Sequence, residues 1–164
     1  VDVDIDVDLS YYSKVEEFRL LGNGIVLTNG LATGIISPTL KLLDVSGVCG
    51  ITDLELFGHL EYISLTNCPD ITTLRGLEHV PSVTVKGLAL TNLEGLGANK
   101  EVIISRCNHV TDFTPLKYVN RVNIESCEGF TNASHLDHVS HVTIWYGDQL
   151  EDVSGLRNAE LVEL

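Results

Sequence analysis

The amino-acid sequence predicts a repeat solenoid, in which short parallel strands stack side by side and each is followed by a compact return. Three observations predict it. A loose template recurs about every twenty residues, as in "CNHVTDFTPL" from Cys107 and "CEGFTNASHL" from Cys127. Within each unit the apolar spacing changes from two, which is strand alternation, to three, which suits a 3₁₀ turn or tight coil better than an α-helix. No unit is able to bury its apolar face alone, whereas stacked units bury a continuous core.

The elements follow in chain order. The opening "VDVDIDVDL" alternates strictly and reads as an edge strand. Asp2, Asp4, Asp6 and Asp8 share one face but spread along it, so they read as an acidic face that blocks edge-to-edge pairing and not as a calcium site. Phe18 and Leu20 open a first unit, whose Gly-rich middle, 22–38, reads as an irregular insertion or loop. Apolar pairs then centre strands near 18–20, 43–45, 63–65, 83–85, 102–104, 122–124 and 142–144. The returns carry the period of three, as in Cys68, Ile71, Leu74, Leu77 and Val80. Val162 and Leu164 open one more unit. The expectation is one solenoid segment over 1–164, about seven repeats plus a partial one, belonging to a longer repeat protein because both ends cut through the pattern.

Composition narrows the function. The 164 residues are 44% hydrophobic and 20% charged, which is globular. No apolar run approaches the roughly 18 residues of a membrane span. A formal net charge of −13 argues against nucleic acid, which requires cationic surface.

Leu60 to Val80, "LEYISLTNCPDITTLRGLEHV", resembles a leucine-rich repeat of the form L-x-x-L-x-L-x-x-C-x-x-I-T, and the likeness runs from about Phe18 to Leu164. "VTDFTPLKYV" and "ITDLELFGHL" are similar to the returns of internalin-like repeats, and the Cys position resembles the cysteine-containing subclass. The resemblance implies a right-handed superhelix with its parallel sheet on the concave face and 3₁₀ or coil returns on the convex face. It also implies that Cys68, Cys107 and Cys127, at a common ninth position, point inward and hydrogen-bond backbone at the turn. Stacked strands lie about 4.8 Å apart, so Cys107 and Cys127 approach disulfide distance. The favoured reading is nevertheless a column of reduced, buried thiols.

Asp53, Thr73, Asn92, Asp112, Asn132 and Asp152 all stand just before a return, where a short side-chain oxygen caps free N–H groups. His59, His79 and His138 sit on the outer rim, and the spacing of His135, His138 and His141 is expected to break across a strand boundary. No metal or cofactor site and no catalytic set is assigned, since nucleophile triads, P-loops and zinc motifs lack a supporting context. Asn132, in "NAS", is formally an N-glycosylation acceptor.

The best binding candidates are the outward strand residues. They are Tyr62; Thr84 and Lys86; Glu101 and Ile103; Arg121, Asn123 and Glu125; and His141, Thr143 and Trp145. Stacking turns them into a grid on the concave sheet. The expectation is a non-enzymatic recognition module for a protein, with a glycan as the other partner because Trp145 is able to stack on a sugar ring. The alternative is a structural segment of a larger surface or filament protein, self-associating through open solenoid ends. An enzyme would need converging ionisable groups, and only Lys86 with Glu101 or Arg121 with Glu125 qualify.

Overall fold

The computed structural model describes residues 3–4, for which only the backbone is considered, 14–26 and 38–163. Among these residues the chain forms one sheet in strict sequence order, β1 to β9, all parallel. The strands are β1 (Val3–Asp4), β2 (Glu17–Val26), β3 (Leu42–Cys49), β4 (Tyr62–Thr66) and β5 (Ser82–Lys86). They continue with β6 (Glu101–Ser105), β7 (Arg121–Glu125), β8 (His141–Trp145) and β9 (Leu161–Glu163). This is the repeat solenoid that the apolar spacing predicts, and every predicted strand centre lies in a strand.

The register follows the apolar pairs. Val83 lies opposite Val102, Val102 opposite Val122, and Val122 opposite Val142. Alternation sends these residues inward, where they are fully buried or nearly so. β9 joins in the same phase, with Val162 opposite Val142.

The period of three has a direct cause. In each return a backbone N–H donates to the carbonyl three residues back, and both bonded residues are apolar. Leu77 donates to Leu74 at 3.1 Å, Leu116 to Phe113 at 3.0 Å and Leu136 to Ala133 at 3.0 Å. Four returns tighten into 3₁₀ turns, at Glu55–Phe57, Thr114–Tyr118, Ser134–Leu136 and Ser154–Asn158. Three residues per turn place each apolar side chain on the same inward edge. The core is therefore a set of columns, one residue per unit, with Phe113 and Phe130 meeting edge-on at 4.8 Å between ring centroids.

The first unit departs from expectation. Residues 22–26 of the expected insertion are strand, not loop. β2 pairs Leu21 with Ser46, then slips, and pairs Ile25 with Val48, so four steps on β2 match two on β3. Gly47 (φ 67°) permits this, since a Cβ there would collide with the Gly22 carbonyl. The opening segment contributes β1 to the sheet edge as expected, pairing Val3 with Ile25. Residues 27–37 and the side chains of Asp2, Asp4, Asp6 and Asp8 lie outside the described residues.

Candidate functional site

The ends of the strands are fixed by a second column. Asn67, Gly87, Arg106, Ser126 and Tyr146 each follow a strand and all have positive φ, between 49° and 62°. The turned backbone still extends the ladder: Gly87 donates to the Ser105 carbonyl at 2.8 Å and Arg106 to that of Glu125 at 2.9 Å. Short, straight, evenly registered strands result, and these carry the outward face.

On that face β6, β7 and β8 form an open cleft of about 400 Å³. Its first row is Glu101, Arg121 and His141, which are register partners. Its second row is Ile103, Asn123 and Thr143, and Leu161 of β9 closes one side. Of the eleven predicted binding residues, six line this cleft. Trp145 lies two residues beyond Thr143 on the same face and is 50% exposed. Glu125 is its register partner. Tyr62 and Lys86 are half-buried on β4 and β5, away from the cleft.

Thr84 does not serve as the exposed contact the sequence suggests. It faces outward by register, between Ser64 and Ile103, but is only 4% exposed. Its Oγ1 is buried without a partner, as are Asn123 Oδ1 and His141 Nδ1. All three atoms belong to the outward face, where they leave hydrogen-bonding capacity unused.

Charge in the cleft is also unpaired, whereas on the outward face of β2 Arg19 pairs with Glu17 at 3.1 Å. Glu101 and Arg121 are adjacent in register, yet no salt bridge joins them; Glu101 instead accepts from Ser82 Oγ at 3.4 Å. Elsewhere Arg75 pairs with Glu94 at 2.7 Å and Lys41 with Glu16 at 3.0 Å.

The thiol column is inside. Cys68, Cys107 and Cys127 are buried and free, and each Sγ lies 3.4–3.5 Å from the carbonyl two residues back, at Thr66, Ser105 and Glu125. Burial pushes all three thiols up, Cys127 to about 11, so they are held as neutral S–H groups. Cys49 is half-buried, off the column.

The six capping candidates all make the bond expected of them, with one refinement. Each oxygen accepts from the N–H two residues ahead: Asp53 from Glu55 (2.9 Å), Thr73 from Arg75 (3.3 Å), Asn92 from Glu94 (3.0 Å), Asp112 from Thr114 (2.9 Å), Asn132 from Ser134 (2.7 Å) and Asp152 from Ser154 (2.8 Å). These are Asx and ST turns, and in the four returns with a 3₁₀ turn the residue stands one position before the N-cap and does not cap the turn itself. Asn132 is exposed while so engaged.

The histidines divide. His59, His79 and His138 are exposed, and the His138 ring stacks on Tyr118 at 6.2 Å. His135 is half-buried, edge-on to Phe130 at 6.3 Å, in a small return-side hollow with Asp112 and Thr131. Burial pulls its pKa down, and Asp112 and Asp137 partly offset this. Among the described residues no three His, Cys, Asp or Glu side chains are grouped to hold a metal ion. No helix among them is long and apolar enough to cross a membrane.

Sequence reasoning missed Asn99. It stands where sister units place Leu60, Val80, Val119 and Val139, and is 3% exposed. Its Nδ2 donates to the Leu77 and Val80 carbonyls at 2.8 and 2.7 Å, and its Oδ1 accepts from Gly97 N–H at 3.0 Å. It tethers the one unit that is a residue short. The signal available was that break in the closing apolar column.

Fold and face together define a class, a parallel-sheet repeat solenoid that presents a polar, partly unsatisfied strand face. No protein-family model matches the chain, and no curated protein matches it.

Proposed function

We propose that this chain is a non-catalytic recognition module of leucine-rich-repeat type, which binds a protein or glycan partner through the outward face of the sheet. The observation that carries this reading is the cleft across β6 to β8, with Arg121 unpaired beside Glu101 and two of its polar atoms without partners. Buried polar atoms are ordinarily hydrogen-bonded, and Asn123 Oδ1 and His141 Nδ1 are not. Side chains on a paired sheet also lose little freedom on binding.

The test compares capture of binding partners by wild type, by a face variant (Arg121→Ala with Trp145→Ala) and by a return-side variant (His79→Ala with Tyr118→Ala). The reading requires a partner that the face variant loses and the return-side variant keeps. The reverse pattern contradicts it.

A structural role is the second reading, and exposed apolar side chains on the last described return and on β9 favour it. Val153, Leu161 and Val162 are 49%, 46% and 37% exposed, although residues equivalent to Val153 and Val162 in the inner units are buried. Concentration-dependent sedimentation, abolished by Leu161→Lys, is the result this second reading expects.

A further inference from the structure

We infer that the β6–β8 cleft binds an uncharged saccharide unit of a glycan; this rests on the recognition reading above and names its ligand.

Charge comes first. The cleft lining holds one carboxylate, Glu101, and one guanidinium, Arg121, and the Glu163 carboxylate stands at its edge, bonded to Thr143 Oγ1 at 3.3 Å. An anionic glycan would meet Glu101 in the cleft and a chain of net charge −13 around it. A cationic group would meet Arg121. Apolar content is small, namely Ile103, Leu161 and the edge of Val122. The desolvated apolar centre that anchors a protein partner is therefore missing from the cleft itself.

What the cleft offers is a set of planar or hydroxyl-bearing hydrogen-bonding groups: carboxylate, guanidinium, amide, imidazole and the Thr143 hydroxyl, whose proton is already given to Glu163 and which therefore acts toward a ligand as an acceptor. Glu101 and Arg121 stand side by side in register without pairing. A vicinal diol is complementary to that arrangement. One hydroxyl donates to the carboxylate while accepting from the guanidinium, and its neighbour repeats the pattern toward Asn123 or His141. Asn123 Oδ1 and His141 Nδ1 have no partner but are themselves buried, so a hydroxyl reaches them only when these side chains turn toward the cleft. The aliphatic side chains suit the C–H edge of a sugar ring.

Direction follows from the ladder. The row Glu101, Arg121, His141 repeats at the strand spacing of about 4.8 Å, close to the length of one pyranose unit. A glycan running across the strands meets one outward residue per sugar. Trp145, half-exposed at the far end of β8, lies four residues along the strand from His141 and outside this line.

The experiment is a titration of the whole chain with neutral oligosaccharides (cellohexaose, maltohexaose and N-acetylchitohexaose), a galacturonate hexamer and a panel of extended peptides. It is followed by amide chemical shifts and repeated for Glu101→Gln, Arg121→Gln and Thr143→Val. The expected result is that at least one neutral hexaose binds, with shifts centred on β6 to β8. Each of Glu101→Gln and Arg121→Gln weakens it tenfold or more with an unchanged melting temperature, and the affinity is flat in salt. The inference is overturned if no neutral hexaose binds, if both charge variants bind like wild type, or if the galacturonate hexamer is preferred. Binding of peptides alone, lost in the same variants, overturns the saccharide assignment and leaves the recognition reading standing. Silence of the face toward every probe overturns both.

Discussion

Asn132 shows how one side chain is used six times over. Its Oδ1 holds Ser134 N–H at 2.7 Å and thereby sets the start of a return, as the equivalent Asp, Asn or Thr does in every other complete unit from Asp53 onward. Asn132→Ala is expected to cost about 1 kcal/mol, and Asn132→Asp close to nothing, in denaturant melts. Asn99 has more at stake, because it satisfies two buried carbonyls from the preceding unit. Asn99→Ala leaves both without that partner and should lower stability by about 2 kcal/mol. Asn99→Val, although it restores the apolar column, should not recover the loss. His135 gives the molecule an acid limb. Its folded pKa lies below the ordinary value of about 6.5 because burial disfavours the imidazolium. As pH falls through 6.5, to use that approximate value, the unfolded chain takes the proton before the folded one does. Stability is therefore full above this pH and declines below it. His135→Gln should flatten the melting temperature between about pH 7.5 and 5.5; a variant that loses stability over this range as fast as wild type would show the limb to arise elsewhere.

At the scale of the strand, the proposed reading assigns stability and recognition to alternate residues. Ile144 is buried and Trp145 exposed, one step apart on β8. Ile144→Ala should destabilise the fold by roughly 2–4 kcal/mol. Trp145→Ala should leave the melt nearly unchanged and weaken a complex made by this face by about 2 kcal/mol. The strand phase was legible in the sequence because both periods, two and then three, arise from backbone geometry that only apolar burial can enforce, and pairs such as Val102 with Ile104 keep it without exception. The continuation of β2 through Gly22–Val26 was not legible. Glycine carries no burial signal, and the slip between Leu21 and Ile25 shifts the period out of phase. Outwardness was legible for Arg121 and Trp145, but exposure was not legible for Thr84. Alternation gives the direction of a side chain and says nothing of how far its neighbours overhang it. The cleft itself depends on side-chain lengths across three strands, which a repeat pattern read one unit at a time does not contain.

For the whole molecule, the stack is stable only as a sum, since each unit buries its apolar edge against the next. The thiol column belongs to that sum. With Cys127 held up at about 11, Cys107 and Cys127 should resist a thiol reagent at neutral pH until the chain unfolds, whereas half-buried Cys49 should react first. On the outward face the β6–β8 cleft leaves Arg121 unpaired beside Glu101, and Asn123 Oδ1 and His141 Nδ1 without partners. That recognition occurs there is the central claim, and the most direct measurement is the equilibrium affinity of the Arg121→Ala, Trp145→Ala double variant for a ligand that wild type binds. The account predicts an affinity at least tenfold weaker with an unaltered melt, while the His79→Ala, Tyr118→Ala variant binds as wild type does. Undiminished affinity in the face variant, with the loss appearing in the return-side variant, would contradict it.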